Sequence, residues 1–297
     1  VQEESVWEAP CECAKKRLLH GKHVGGKRLT RVGALIPIRL GSSRLRGKAL
    51  MPIAGRPAVH HLLERCFASR HLAPDRVIIC TTTDASDDPL VPVVESTGAK
   101  IFRGNRDDLV DRLHRATEQH HLEIILQVDG DDICTDTLYM DMCAAKLIAN
   151  AQLDVVFAEG LPLGLSTRVF RAAALKKVFE NYNPGKNDTG FMYYLTRSGL
   201  FSVSTVQPQS QAHVHPSARL TLDYAEDLAF FRAIFERLYQ PGKVFGVADI
   251  CDLLQREPEL LQLNAGLDEK YAERTRELVS AQGMTIRTPD GIRRIEG

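Results

Sequence analysis

From Val32 onward, short β-branched apolar runs alternate with stretches of helical period, and few architectures accommodate that order. Residues 32–38 (VGALIPI), 76–81 (RVIICT), 100–103, 123–128 (EIILQV) and 154–158 have the length and punctuation of buried strands. Between them, 58–69, 90–97, 109–119 and 136–151 read as helices. In the first of these, Val59, Leu62, Leu63, Cys66 and Phe67 form the apolar face, and Gly98 caps the second. Strand–helix–strand repetition implies right-handed crossovers and a mainly parallel sheet with helices on both faces. The expected fold class is therefore α/β, a Rossmann-like three-layer α/β/α domain over 32–297. Ligands on such sheets sit beyond the carboxyl ends of the strands. Three segments follow strands in this way: the loop after 38, the stretch from Thr81 to Asp84, and 129–132. The second half is more mixed. Residues 167–170, 201–206 and 218–222 read as strands, 171–182 and 225–239 as helices, and 183–188 as a loop. After Pro241 the remainder reads as short helices that pack on the domain or join a dimer contact.

The loop after the first strand combines small residues with cations: Arg39, Gly41, Ser42, Ser43, Arg44, Arg46, Gly47 and Lys48. Glycine lets backbone N–H groups approach an anion closely, arginine forks onto phosphate oxygens, and lysine supplies a point charge. That chemistry suits a polyphosphate, although a solvated basic loop has the same composition. The segment is neither G-x-x-x-x-G-K-[ST] nor G-x-G-x-x-G, since the glycines are spaced wrongly and Ala49 follows Lys48.

The order R-x-G-S-x-R-L-x-G-K-x-L resembles the signature loop of the cytidylyltransferases that make CMP-sugars. The resemblance is to the SpsF-type, spore-coat polysaccharide family, related to CMP-Kdo and CMP-sialate synthetases. It implies a GT-A-like nucleotidyltransferase fold, with Ile36, Pro37, Arg39, Gly41, Ser42, Ser43, Arg44 and Lys48 around the nucleotide triphosphate. Arg46 stands where the family commonly has proline.

Two acidic segments extend the comparison. Asp129-Gly130-Asp131-Asp132 follows the strand 123–128, and carboxylates on a glycine turn suit Mg²⁺, which takes one or two carboxylates plus substrate phosphates. An ordinary acidic turn has the same form. The family's G-D-x motif falls here and implies Asp131 as a metal ligand, with Asp132 beside it toward the acceptor; Asp129 replaces a commonly neutral residue. RLTLDYAEDL, 219–228, resembles R-x-T-[LV]-D-x-x-E-D-L and implies Asp223 as the second ligand. Asp227, in the first turn of the next helix, complements a helix N-terminus. Smaller matches are CTTTDASDDPLV from Cys80, which implies Thr81, Thr82, Thr83 and Asp84 near the base or ribose, and FRGNRDDLVDR, 102–112, with Arg103 and Asp108 as site-wall candidates. LPLGLSTRVF, 161–170, and NDTGFMYYLT, 187–196, fall where the acceptor would bind, with Gly164 and Asp188 as candidates. The second departs from the family's usual run.

Composition narrows the function classes. The 297 residues carry 38 Lys+Arg and 38 Asp+Glu, so no basic excess points to nucleic acid. No apolar run approaches the roughly 20 residues that span a bilayer. Seven scattered cysteines, and Glu3, Glu4 and Glu8 where a signal peptide would be cationic and apolar, predict a cytoplasmic protein with reduced thiols. Residues 1–31 lack periodicity and read as an N-terminal extension. Their Cys11, Cys13, His20 and His23 match no standard zinc spacing. Cys66, Cys80, Cys143 and Cys251 read as core filler, and the pairs His60–His61 and His120–His121 carry no assigned chemistry.

The expected activity is Mg²⁺-dependent transfer of CMP from CTP to a sugar-type acceptor with release of pyrophosphate. Lys48, Arg44, Asp131 and Asp223 would be catalytic, and the resemblance implies a homodimer. A phosphonate or sugar-phosphate acceptor, another nucleotide, a D-x-D glycosyltransferase built on Asp129 and Asp131, and a nucleotide-binding regulatory domain are the alternatives.

Overall fold

The computed structural model describes residues 30–184 and 190–295. The chain divides into Val1–Thr30 and Arg31–Gly297, and all that follows concerns the second unit. The thiol and imidazole pairs between Cys11 and His23, the loop residues from 185 and the acceptor candidate Asp188 lie outside the described residues.

Strand β1 (Val32–Pro37) is buried along nearly its whole length, as its unbroken apolar run requires. A two-residue hairpin, β2 (Pro52–Ile53) and β3 (Arg56–Pro57), follows the cationic loop. The main sheet adds β4 (Val77–Thr82), β5 (Lys100–Gly104), β6 (Ile124–Gln127), β7 (Val155–Ala158), β8 (Arg168–Arg171) and β9 (Val203–Val206). Its seven strands run in the order β5-β4-β1-β6-β8-β7-β9. All neighbours are parallel except at β8, which is antiparallel to both β6 and β7.

Side-chain alternation along β1 divides the core into two layers. Ala34 and Ile36 join one cluster, and Leu35 joins the other. The first cluster takes in helices α1 (Ala58–Ala68) and α4 (Thr137–Ala149), and the second takes in α3 (Leu109–Gln119) and α5 (Ala172–Asn181). The helix α2 (Leu90–Glu95) and the one-turn α6 (Met192–Thr196) complete the series up to β9. Helix starts follow sequence signals: Asp136 Oδ1 accepts from the Leu138 and Tyr139 N–H groups at the start of α4, and Asp108 Oδ1 accepts from Asp111 N at α3. Helices α7 (Ala225–Leu238) and α8 (Val247–Arg256) cover the first cluster with Phe230, Phe231, Ile234, Ile250 and Leu254. Among the described residues, no helix is long and apolar enough to cross a membrane.

Two expectations are corrected. Residues 218–222 are not a sheet strand. They are extended and apolar because Ala218, Leu220 and Leu222 are buried, but the segment bonds to loops: Leu220 N to Leu163 O at 2.8 Å and Leu222 N to Asp131 O at 2.9 Å. The C-terminal part is not only short helices. It holds the 16-residue α9 (Leu267–Gln282) and a hairpin, β10 (Thr285–Thr288) with β11 (Gly291–Arg294). Thr288-Pro289-Asp290-Gly291 is a strong turn sequence, so the hairpin signal was present in the chain.

Candidate active site

The loop leaving β1 is closed by one backbone bond, Gly47 N to Leu40 O at 2.9 Å, and fastened at its start by Leu40 N donating to Asp87 Oδ1 at 2.7 Å. A 3₁₀ turn, Lys48–Leu50, then projects Lys48 back toward the sheet. There the lysine meets the turn after β6. That turn needs Gly130, because a Cβ at this position would lie 2.3 Å from Ile38 Cγ1 and 2.7 Å from the Pro37 carbonyl. The extended segment 218–222 delivers Asp223 from the other side. It packs on Gly164, whose φ of +92° suits glycine and whose missing Cβ leaves room for the Leu220 carbonyl.

These pieces build one charge cluster. Lys48 Nζ donates to Asp131 Oδ2 at 2.7 Å and to Asp223 Oδ1 at 2.9 Å. Arg44 Nη2 donates to the same Asp223 oxygen at 2.5 Å, and Arg219 Nη2 to Asp223 Oδ2 at 3.2 Å. Arg219 is in turn held by Asp227, at 3.1 Å through Nε. Asp227 also accepts from the Asp223 and Tyr224 N–H groups, both at 3.0 Å, so its place at the start of α7 both caps the helix and aims Asp223. A cavity of about 810 Å³ opens on this cluster.

Burial opposes every charge here, and the partners decide the outcome. Burial pulls the Lys48 ammonium down, but Asp131 and Asp223 outweigh it and leave its pKa above the ordinary lysine value. Burial pushes Asp131 up, yet Lys48 brings it below the usual carboxylate range. Asp223, fully buried and facing Asp131, stays above that range despite Lys48 and Arg44. Asp132 is raised well above it by burial and then by the Asp131 and Asp129 charges. Asp129 takes a separate partner set: Arg168 Nη1 and Gln127 Nε2 each donate to it at 2.6 Å. The antiparallel β8 places Arg168 opposite Gln127 and so beside that turn.

Of the candidates from the sequence, Pro37, Arg39, Ser42, Ser43, Arg44, Lys48, Asp131, Asp132 and Gly164 line the cavity, and Asp223 lies off the lining but bonds Lys48. Ile36 is core, with no exposure, and Gly41 is exposed and not part of the lining. Thr81 and Thr82 are buried with their hydroxyls donating to Asp87 Oδ2, at 3.0 and 2.5 Å, and they do not line the cavity. Their motif fastens the loop through Asp87 instead. Thr83, Asp84 and Arg103 also lie off the lining. Arg103 donates to the carbonyls of Thr82 and Asp84, and Asp84 caps the following turn by accepting from Ser86 N. Asp108 accepts from Tyr182 Oη at 2.6 Å.

Arg219, Arg168, Tyr271 and Arg274 also reach the site and are not among the sequence candidates. The first opens the RLTLDYAEDL motif and was legible there. Arg168 needed the antiparallel pairing of β8, and the last two come from α9, far along the chain. Among the described residues no group of three or more His, Cys, Asp or Glu is placed to hold a metal ion. The pair Asp131 and Asp223 does converge on one point, the Lys48 ammonium, which shows that a single cation can meet both carboxylates.

Comparison with known proteins matches residues 33–238 to the cytidylyltransferase family. The chain is 28% identical over 237 residues to an uncharacterised protein of Methanocaldococcus jannaschii, covering 80% of this chain and 95% of that one. It is 24% identical over 229 residues to the spore coat polysaccharide biosynthesis protein SpsF of Bacillus subtilis, covering 76% and 94%. With 3-deoxy-manno-octulosonate cytidylyltransferase of Yersinia pseudotuberculosis it shares 33% identity over 172 residues, 56% of this chain and 62% of that enzyme. In three dimensions a cytidylyltransferase from Leptospira borgpetersenii superposes with a TM-score of 0.72 at 21% identity, over 80% of this chain and 99% of that one.

Proposed function

This chain belongs to the cytidylyltransferase family, and from that premise we propose that it transfers CMP from CTP to a sugar-type acceptor, with Mg²⁺ bound and pyrophosphate leaving. The observation that carries the reading is the pairing of Lys48 and Arg44 with Asp131 and Asp223 against the cavity. These cations are held in place by carboxylates and can exchange them for phosphate oxygens without moving far. A volume of about 810 Å³ lies within the range of small-molecule sites.

In the reaction the acceptor oxygen attacks the α-phosphorus in line. Its O–P bond forms as the bond to the bridging oxygen of the β-phosphate breaks, that oxygen leaves with pyrophosphate, and the proton of the acceptor hydroxyl passes to solvent. Arg44 and Lys48 bind the triphosphate and neutralise the leaving group, and the ordered loop supplies orientation. Asp131 and Asp223 would hold Mg²⁺, whose charge polarises phosphoryl oxygens. Arg219 and Asp227 keep Asp223 aimed. The SpsF and 3-deoxy-manno-octulosonate relatives support a sugar-type acceptor. Nothing favours the D-x-D glycosyltransferase, because Asp129 is engaged by Arg168 and Gln127 and not beside Asp131 on Lys48.

The test is pyrophosphate release with each of CTP, GTP, UTP and ATP, against keto-deoxy sugars, sugar phosphates and phosphonates, with Mg²⁺ and with a chelator. Acceptor-dependent release with CTP that the chelator abolishes is the expected result. Release with another nucleotide would overturn the base assignment, and nucleoside diphosphate as product would overturn the reaction.

A further inference from the structure

Helix α9 lies beyond the family match, which ends at residue 238. It still forms part of the cavity wall, through Tyr271, Arg274, Thr275 and Leu278. The helix is seated by its buried Leu267 and Val279. From that seat it reaches the phosphate loop and the Asp223 cluster at three points. Arg274 Nη2 donates to Ser43 Oγ at 3.0 Å, and Asp268 Oδ1 meets Arg219 Nη1 at 3.4 Å. Between these, the Tyr271 ring lies with its centroid 4.9 Å from Arg219 Cζ and 5.8 Å from Arg44 Cζ.

Those two guanidiniums bond opposite oxygens of Asp223. Together with Lys48 they crowd three cations around one carboxylate. An aromatic face within about 6 Å attracts a guanidinium and favours its lying in a set plane. Tyr224 adds a second ring, 5.6 Å from Arg44 Cζ and 5.8 Å from Arg219 Cζ.

We propose that Tyr271 is a positioning residue for the nucleotide: its ring, closest to Arg219 and within reach of Arg44, keeps this guanidinium pair in place when Asp223 gives Arg44 up to a phosphate, which makes α9 a functional wall of the site. The inference rests on the nucleotide reading above and adds to it a segment outside the family match. It places the effect of Tyr271 on CTP and not on the acceptor.

The experiment is calorimetric titration of the full chain with CTP, for the parent and for Tyr271→Phe, Tyr271→Ala and Tyr271→Leu, with thermal melts and both KM values alongside. Tyr271→Phe keeps the ring and should bind CTP within about twofold of the parent. Tyr271→Ala and Tyr271→Leu should weaken CTP about tenfold, the scale of one partly desolvated cation–π contact, with the acceptor KM unchanged. An Ala or Leu variant that binds CTP like the parent overturns the proposal. So does a Phe variant as weak as Ala, which would give the role to the hydroxyl. A lowered melting temperature with both KM values shifted together would mark a purely structural role and overturn the proposal. Should Tyr271→Ala fail to fold, Tyr271→Leu, which fills the space without a π face, decides. A parent chain that binds no CTP overturns the nucleotide reading and this inference with it.

Discussion

Lys48 is the residue on which the site turns, because its ammonium is shared by two carboxylates from different segments. With the lysine raised and Asp131 lowered, that ion pair stays charged from below the usual carboxylate range to above the usual lysine range. Lys48→Ala should lose about 10²–10³ in turnover, as other removed charge stabilisers do; turnover within about twofold of the parent would take Lys48 out of the reaction. Asp132 gives a prediction of opposite sign. Its native pKa is raised, so ionised Asp132 costs stability at high pH, and the cost fades as pH falls through that value. In chelator, Asp132→Asn should therefore melt above the parent at pH 8, with the difference vanishing in acid; a gain of about 1 kcal/mol would read as about 2–4 °C. A variant that melts below the parent at pH 8 would refute the like-charge account. Lys48 and Arg44 were legible in the cationic glycine loop and Asp131 in the acidic turn after a strand, whereas Asp223 was reached through the resemblance of RLTLDYAEDL to a family motif. A hydroxyl after a strand looks the same in sequence whether it faces a ligand or a buried carboxylate, and those of Thr81 and Thr82 donate to Asp87.

At the scale of elements, the cationic loop after β1 is held by Asp87, 47 positions beyond Leu40. This carboxylate is 1% exposed and accepts from Leu40 N, Thr81 Oγ1, Thr82 N and Thr82 Oγ1. Asp87→Ala would leave these buried donors without their acceptor and should cost about 3 kcal/mol or more by denaturant unfolding. Loss within about 0.5 kcal/mol would mean the donors find other acceptors. The D-D-P run was visible as a motif, but its work as a clamp was not, because the clamp exists only once β1 and β4 lie side by side. The extended segment 218–222 makes the same point. Its apolar alternation is that of a strand, and burial is what the pattern records; whether the neighbour is a sheet strand or a loop at Leu163 and Asp131 is not encoded locally.

For the whole molecule, the two apolar layers on either side of the sheet set the chemistry of the thiols. Cys66, Cys80, Cys134, Cys143 and Cys251 are all buried. Burial pushes Cys66, Cys80 and Cys143 up to about 12 and Cys134 and Cys251 up to about 11. The native protein should therefore leave these five unmodified by a thiol reagent at pH 8, with all five reacting in denaturant; peptide mapping reads each site, and native labelling at any of them would contradict the packing. By itself the sequence determined the order of main-sheet strands and helices from 32 to 158, the position of the cationic loop and the acidic turn after β6. Each of these is written in short-range periodicity and composition, where neighbours along the chain impose the pattern. Only the tertiary structure decided which charges meet. Lys48 and Asp223 are separated by 175 positions, and Arg274 and Ser43 by 231. Such pairs depend on how the layers pack and on the reversed β8 that brings Arg168 to Asp129, and a residue's local sequence carries no record of the distant surface it will face.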